Sequence, residues 1–183
     1  MPKDFVFYPI PYRDTAAREA VVNAAKDLVV KAYTSLVNPS YAVRPIFFND
    51  FVSAGASSSV VTSTGIVLSS VTAGPTTFGY SGEASITFTV PNNKVFIFYG
   101  FADYSANPLA RLVQVTIAGT QYNPIYLLPE IVTDEDKVYV LKQPFRAIPP
   151  NTQATINIFG TGAGTELFDI LGFVAETPPS VEE

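Results

Sequence analysis

The side chains able to do chemistry in this sequence are its carboxylates, because 183 residues include no His and no Cys. Without imidazole or thiol there is no Ser-His-Asp relay, no Cys-His pair and almost none of the usual zinc ligand sets. What remains is acid work of the glycosidase kind, which needs two carboxyl groups roughly 5–10 Å apart with one of them held protonated. Glu83, Asp103, Glu130, Glu166 and Asp169 stand outside obvious charged runs, and no spacing pairs any two of them. They read as turn and rim carboxylates, and the chain is expected not to be an enzyme.

Asp134, Glu135 and Asp136 could offer oxygens to a calcium ion. Calcium takes six to eight, however, and the run lacks the alternating acids and glycine of a calcium loop, so it reads as a solvated hairpin turn. Gly160-Thr161-Gly162-Ala163-Gly164 has the glycine content of a phosphate cradle but not its Gly-Lys-Ser/Thr ending, and a strand pattern follows it, not a helix. It too reads as a turn. Aromatic runs such as Phe96-Ile97-Phe98-Tyr99 carry none of the interleaved Lys and Arg of a nucleic-acid platform and read as core. No cofactor, metal, specific nucleic acid or small-molecule substrate is expected.

The elements that would position these residues are legible from pattern. Residues 14–37 predict one N-terminal amphipathic helix, capped by Asp14 and stopped by Asn38-Pro39. Ala17, Val21, Ala24, Leu28, Ala32 and Leu36 follow its three-or-four spacing and predict the face that packs. Residues 53–82 contain no charge, and Ser, Thr and Gly fill 18 of the 30 positions. Val60, Val61, Ile66, Val67 and Leu68 are interleaved there, so strands joined by small-residue turns are expected, with a neutral edge in need of cover.

From residue 86 onward turns recur about every ten residues, and strands alternate: Val113, Val115 and Ile117 oppose Gln114 and Thr116, while Ile156 and Ile158 oppose Thr155 and Asn157. Eight or nine strands with no helix between them predict an all-β antiparallel sandwich or jelly roll. The organisation expected is an arm and helix over 1–44, the sandwich over 45–176 and a polar tail over 177–183. The loops 104–109 and 144–151 are expected at one end of it.

Charge is sparse, at 15% of residues, so much of the surface is neutral. Residues 1–44 hold six bases against four acids, net +2, and the rest five against twelve, net −7, which gives the total of −5. An arm at +2 is too weakly basic for counterion release to drive nucleic-acid binding. The opening residues, with Asp4 and two prolines, lack a signal-peptide pattern, so synthesis and retention inside a cell are expected. One Met, no Cys and 15 Pro suit a heat-resistant source.

The strand count, the corner loops Val90-Pro91-Asn92-Asn93 and Phe145-Arg146-Ala147-Ile148-Pro149-Pro150-Asn151, and the closing strand Phe168-Asp169-Ile170-Leu171-Gly172-Phe173-Val174 carry a resemblance. Over about two-thirds of the chain they resemble the single jelly-roll proteins that build capsids of tailless icosahedral double-stranded DNA viruses, including those of hot-spring hosts. The resemblance implies a self-assembling capsid subunit of a virion, made in the host cytoplasm. Its implied partners are copies of itself, other capsid proteins and an internal membrane surface. Val21, Ala24 and Leu28 on the helix, with Ser57, Val60, Thr62 and Thr64 in the neutral tract, are then expected at contacts between subunits or between helix and sandwich. The competing expectation is a carbohydrate- or receptor-binding β-sandwich using Tyr80, Tyr104, Tyr122 and Tyr126.

Overall fold

The computed structural model describes residues 10, 14–71, 78–127 and 137–179. Two sheets face each other. The smaller has four strands in the order β1 (Ala42–Pro45), β12 (Phe168–Glu176), β5 (Lys94–Asp103) and β9 (Val138–Val140). The larger has eight: β11 (Gly164–Glu166), β3 (Gly65–Ser70), β4 (Gly82–Thr89), β10 (Gln153–Gly160), β6 (Ala110–Ile117) and β7 (Thr120–Gln121) in line, with β2 (Val61–Thr62) on β3 and β8 (Ile125–Tyr126) on β6. All pairings are antiparallel.

Following the chain through β1, β4, β5, β6, β8, β9, β10 and β12, it crosses between sheets so that the first and last strands pair, Ala42 opposite Glu176. That is a jelly roll. Against the expected eight or nine strands, twelve are described: this eight-strand path plus the short β2, β3, β7 and β11. The strand expected over 166–175 is divided at Leu167, where the chain leaves one sheet and enters the other. A short helix, α2 (Phe48–Ser53), also interrupts the sequence ahead of β2.

Alternation places the core. On β4, Ala84, Ile86 and Phe88 turn inward, as do Ala154, Ile156 and Ile158 on β10 and Val113, Val115 and Ile117 on β6. The facing sheet sends in Phe96, Phe98 and Phe101. Phe51 of α2 closes this layer, its ring 5.1 Å from Phe88 in an edge-on contact. β5 does not alternate, because Val95 and Ile97 on its other face are also buried.

The cover on that other face is α1 (Thr15–Leu36), started by Asp14, whose carboxylate accepts from the Ala17 N–H at 3.0 Å. Its buried residues are Val21, Ala25, Val29 and Tyr33. Ala25, Val29 and Tyr33 pack on Val95, Ile97, Phe173 and Ala175, and burying a side chain the size of Val29 contributes about 2 kcal/mol. The expected stripe is therefore corrected. Only Val21 of it is buried; Ala17, Ala24 and Ala32 are half-buried, and Leu28 and Leu36 are exposed. The helix is apolar on two adjacent stripes, and the sheet took the one whose Tyr33 hydroxyl meets Thr177 Oγ1 at 2.8 Å. Lys26 lies over the Phe173 ring at 5.3 Å, a cation–π contact.

The edge of the covered sheet is pinned by charge. Arg44 on β1 reaches Asp50 of α2 at 2.6 Å and Glu176 of β12 at 2.7 Å, and Lys94 of β5 reaches Glu176 at 3.3 Å. Burial pushes the Asp50 and Glu176 carboxyls up, but the hydrogen bonds and charge of Arg44 outweigh it and hold both below their ordinary values. β1 itself starts at Ala42, so the sandwich reaches into the segment assigned to the arm.

The loops 104–109 and 144–151, expected together, lie at opposite ends. β5 separates them: its start bridges to Ile148, and its end runs into Tyr104. Val90 N–H donates to Thr152, Ala118 N–H to Gln153 and Arg146 to the Ile117 carbonyl, which gathers the turns of one end. Thr161 N–H donates to Leu109, Tyr104 N–H to Leu167 and Asp103 N–H to Lys137, which gathers the other.

Candidate functional site

Among the described residues α1 covers the small sheet; the outer face of the large sheet is open at Ser85, Thr87 and Thr89 of β4, half-buried at Thr155 and Asn157 of β10 and closed at Gln114 of β6, and its composition follows from register. Thr155 on β10 lies opposite Thr87 on one side and Thr116 on the other, and Thr116 continues to Gln121. Asn157 likewise lies between Ser85 and Gln114, and Gln153 beside Thr89. These rows hold hydroxyls and amides with no charged side chain among them. Neighbours within a row satisfy one another: Thr87 Oγ1 and Thr155 Oγ1 are 3.1 Å apart, and Ser85 Oγ donates to Asn157 Oδ1.

The next row forms a border. Phe159 lies between Glu83 and Leu112, and Leu112 opposite Tyr126, which is 58% exposed. Phe78 packs edge-on against Phe159 at 5.1 Å. Such a face is neutral and both donor and acceptor, so it can meet another neutral polar surface without desolvating an ion.

The second cluster lies at the loop end formed by 104–109 and 161–167. Asp103 at the end of β5 and Glu166 at the end of β11 are 0% and 2% exposed. β12 runs antiparallel to β5 with Phe168 opposite Asp103, so Glu166, two residues earlier, comes alongside. Their side chains are within hydrogen-bonding reach, so two acids that sequence spacing left unpaired are brought together. Contact is closer than the 5–10 Å of a glycosidase pair, and both groups are buried. Burial first, then Asp103, pushes the Glu166 carboxyl up to about 7, against hydrogen bonds from the Leu109 N–H and the Ser105 hydroxyl.

The expected contact residues fall into two groups, one on α1 over the small sheet and one in and around β2 beside the large sheet. Val21 packs with Ile10 and Val140, Ala24 lines a shallow groove with Pro144 and Lys142, and Leu28 is 44% exposed. Ser57 and Thr64 are exposed, Val60 packs against the core, and Thr62 donates to the Gly65 carbonyl at 2.8 Å. Of the tyrosines, Tyr104 and Tyr126 are exposed, while Tyr122 packs edge-on against Phe145. Glu130 and the solvated hairpin turn expected at Asp134, Glu135 and Asp136 lie outside the described residues. Among the described residues no three Asp, Glu, His or Cys gather where they could hold a metal. No described helix is long and apolar enough to cross a membrane.

No protein-family model and no curated protein matches the chain. Solved structures similar to it include a family 35 carbohydrate-binding module from an environmental isolate, 14% identical, covering 61% of this chain and 90% of that one at a TM-score of 0.28. A β-(1,4)-mannanase from Podospora anserina is 12% identical over 79% of this chain at a TM-score of 0.28, and the chain spans 29% of its length. A domain of a multidomain xylanase from the hindgut metagenome of Trinervitermes trinervoides is 13% identical, covering 57% and 77% at a TM-score of 0.22. Alignments this shallow carry no inference about function.

Proposed function

We propose that the chain is a structural subunit that works by packing against copies of itself, a jelly roll of a capsid shell. The observation that carries this reading is the distribution of exposed large apolar side chains. Among the described residues they lie in four places: Leu28, Leu36 and Tyr41 on and after α1, Phe47 and Phe48 at the start of α2, Tyr104 and Leu167 at the loop end, and Tyr126 at the border of the open face. A module for one ligand concentrates such groups at one site, whereas a shell subunit meets neighbours on several sides. The open face supports the same reading, since its hydroxyls and amides are complementary to a copy of themselves despite the net charge of −5. Helix α1 spends its buried stripe on its own sandwich, so copies would meet it through Leu28 and Leu36.

Mass by light scattering over a range of concentration and salt, with electron microscopy of any large species, tests the proposal. Rings, sheets or shells are the expected outcome; a monomer under every condition would overturn it. A second reading, recognition of a neutral glycan, is favoured by the rows of Ser, Thr, Asn and Gln flanked by the exposed Tyr126. A glycan array answered only by the wild type and not by Tyr126→Ala, from a protein that stays monomeric, would put that reading first.

A further inference from the structure

The buried pair at the loop end has no place in either reading. Asp103 Oδ1 accepts from the Ser105 N–H at 3.0 Å, and Glu166 accepts from Leu109 and Ser105, yet among the described residues Asp103 Oδ2 and Glu166 Oε2 have no donor. An ionised carboxylate only accepts, so two buried acceptor oxygens side by side would be left unsatisfied and mutually repelling. One proton held between them satisfies both. A cation would fit poorly: two carboxylates and the Ser105 hydroxyl fall short of the six to eight oxygens calcium takes.

We propose that Asp103 and Glu166 share a proton and act as a latch that keeps this end of the sandwich closed in acid and loosens it as the pH rises. The pair sits where the chain passes from β11 in the large sheet to β12 in the small one, so it ties the sheets together. Around it Tyr104 N–H donates to the Leu167 carbonyl, Leu167 N–H to Ser105 Oγ, and Asp103 N–H to the Lys137 carbonyl. Losing the proton places two like charges in the middle of this set. Among the described residues, the charged groups on surrounding elements are Arg111 of β6, Lys137 before β9 and Asp169 of β12. Arg111 donates to the Pro108 and Ala110 carbonyls, and β3 contributes no charge.

The direction follows from linkage. Glu166 holds its proton up to about 7 when closed, against an ordinary 4.5, so closure is fully favoured below 4.5 and is lost progressively as the pH rises through about 7. Hydrogen exchange of the Ser105, Leu109 and Leu167 amides in the full chain, corrected for the intrinsic rate, reads this opening. The expected result is protection falling roughly tenfold per pH unit between about pH 5 and pH 7, then levelling, with the slope abolished in Glu166→Gln. An equal slope in the variant, or none in the wild type, would overturn the latch. So would protection restored at alkaline pH by millimolar calcium in the wild type alone, which would make the pair a cation site. Should Glu166→Gln not fold, titration of the wild-type Glu166 carboxyl by carbon NMR decides: a midpoint near 7 supports the latch, and one near 4.5 overturns it.

Discussion

The two sheets of this sandwich treat their outer faces oppositely. The four-stranded sheet turns Val95, Ile97, Phe173 and Ala175 outward and covers them with the chain's own helix, whereas the large sheet turns out Ser85 and Thr87, which are exposed, and Thr155 and Asn157, which are half-buried. The first face is hydrophobic and settled within the chain. The second is polar enough to tolerate water and neutral enough to give it up. A low charge content is thus not uniform over the molecule; on the large sheet it is concentrated into rows.

The contrast is broken most severely by placing a charge under the helix. Val29→Asp loses a fully buried apolar side chain and buries a carboxylate, so unfolding in urea should show roughly 4 kcal/mol lost. Next is the pin at the sheet edge. Arg44→Met leaves buried Asp50 without its counter-ion, the Phe47 N–H still donating to it, and should cost about 2 kcal/mol at neutral pH. That cost should vanish in acid: because Asp50 and Glu176 are held below their ordinary 3.8 and 4.5, their contribution is present above those values and is lost as the pH falls through the lower folded-state ones. Unfolding curves of both proteins from neutral pH into acid should therefore converge.

Thr155→Lys sharpens the other side. It sets a charge in the middle of the neutral rows, with less than about 1 kcal/mol lost in folding but self-association weakened at least tenfold, read by light scattering. The smallest expected effect on folding is that of Leu28→Asp, within about 0.5 kcal/mol because the side chain is exposed, one residue from the position whose substitution should be most damaging. If Leu28 meets a neighbouring subunit, this variant should assemble poorly while its unfolding curve stays at that of the wild type.

Much of the fold was legible because alternation is a local property. β6 and β10 announce their inward faces through Val113, Val115, Ile156 and Ile158, and Asp14 caps the helix as its type and place suggest. The phase of that helix was not legible. Its adjacent stripes are both apolar, and choosing Ala25, Val29 and Tyr33 over Ala24, Leu28 and Ala32 depends on the shape of a sheet formed by residues 60 to 150 positions away. The clue lay in the partner: Val95 to Phe98 is apolar at consecutive positions, the mark of a strand buried on both faces. α2 was hidden because Asp50 organises its start through the Phe47 N–H only once Arg44 is in place. The Asp103–Glu166 pair was hidden for a topological reason, since 63 residues and a change of sheet separate them.

The pairing of the first jelly-roll strand with the last also governs when the molecule can fold. β12 sits between β1 and β5, and two of the three pairings in the small sheet involve it. On the ribosome, that sheet cannot close until residue 176 has emerged, while β4, β6 and β10 are already able to pair. Until β12 emerges, the nascent chain therefore holds the paired strands of one sheet with an exposed apolar face, the interval in which a chaperone or a neighbouring nascent chain would find it.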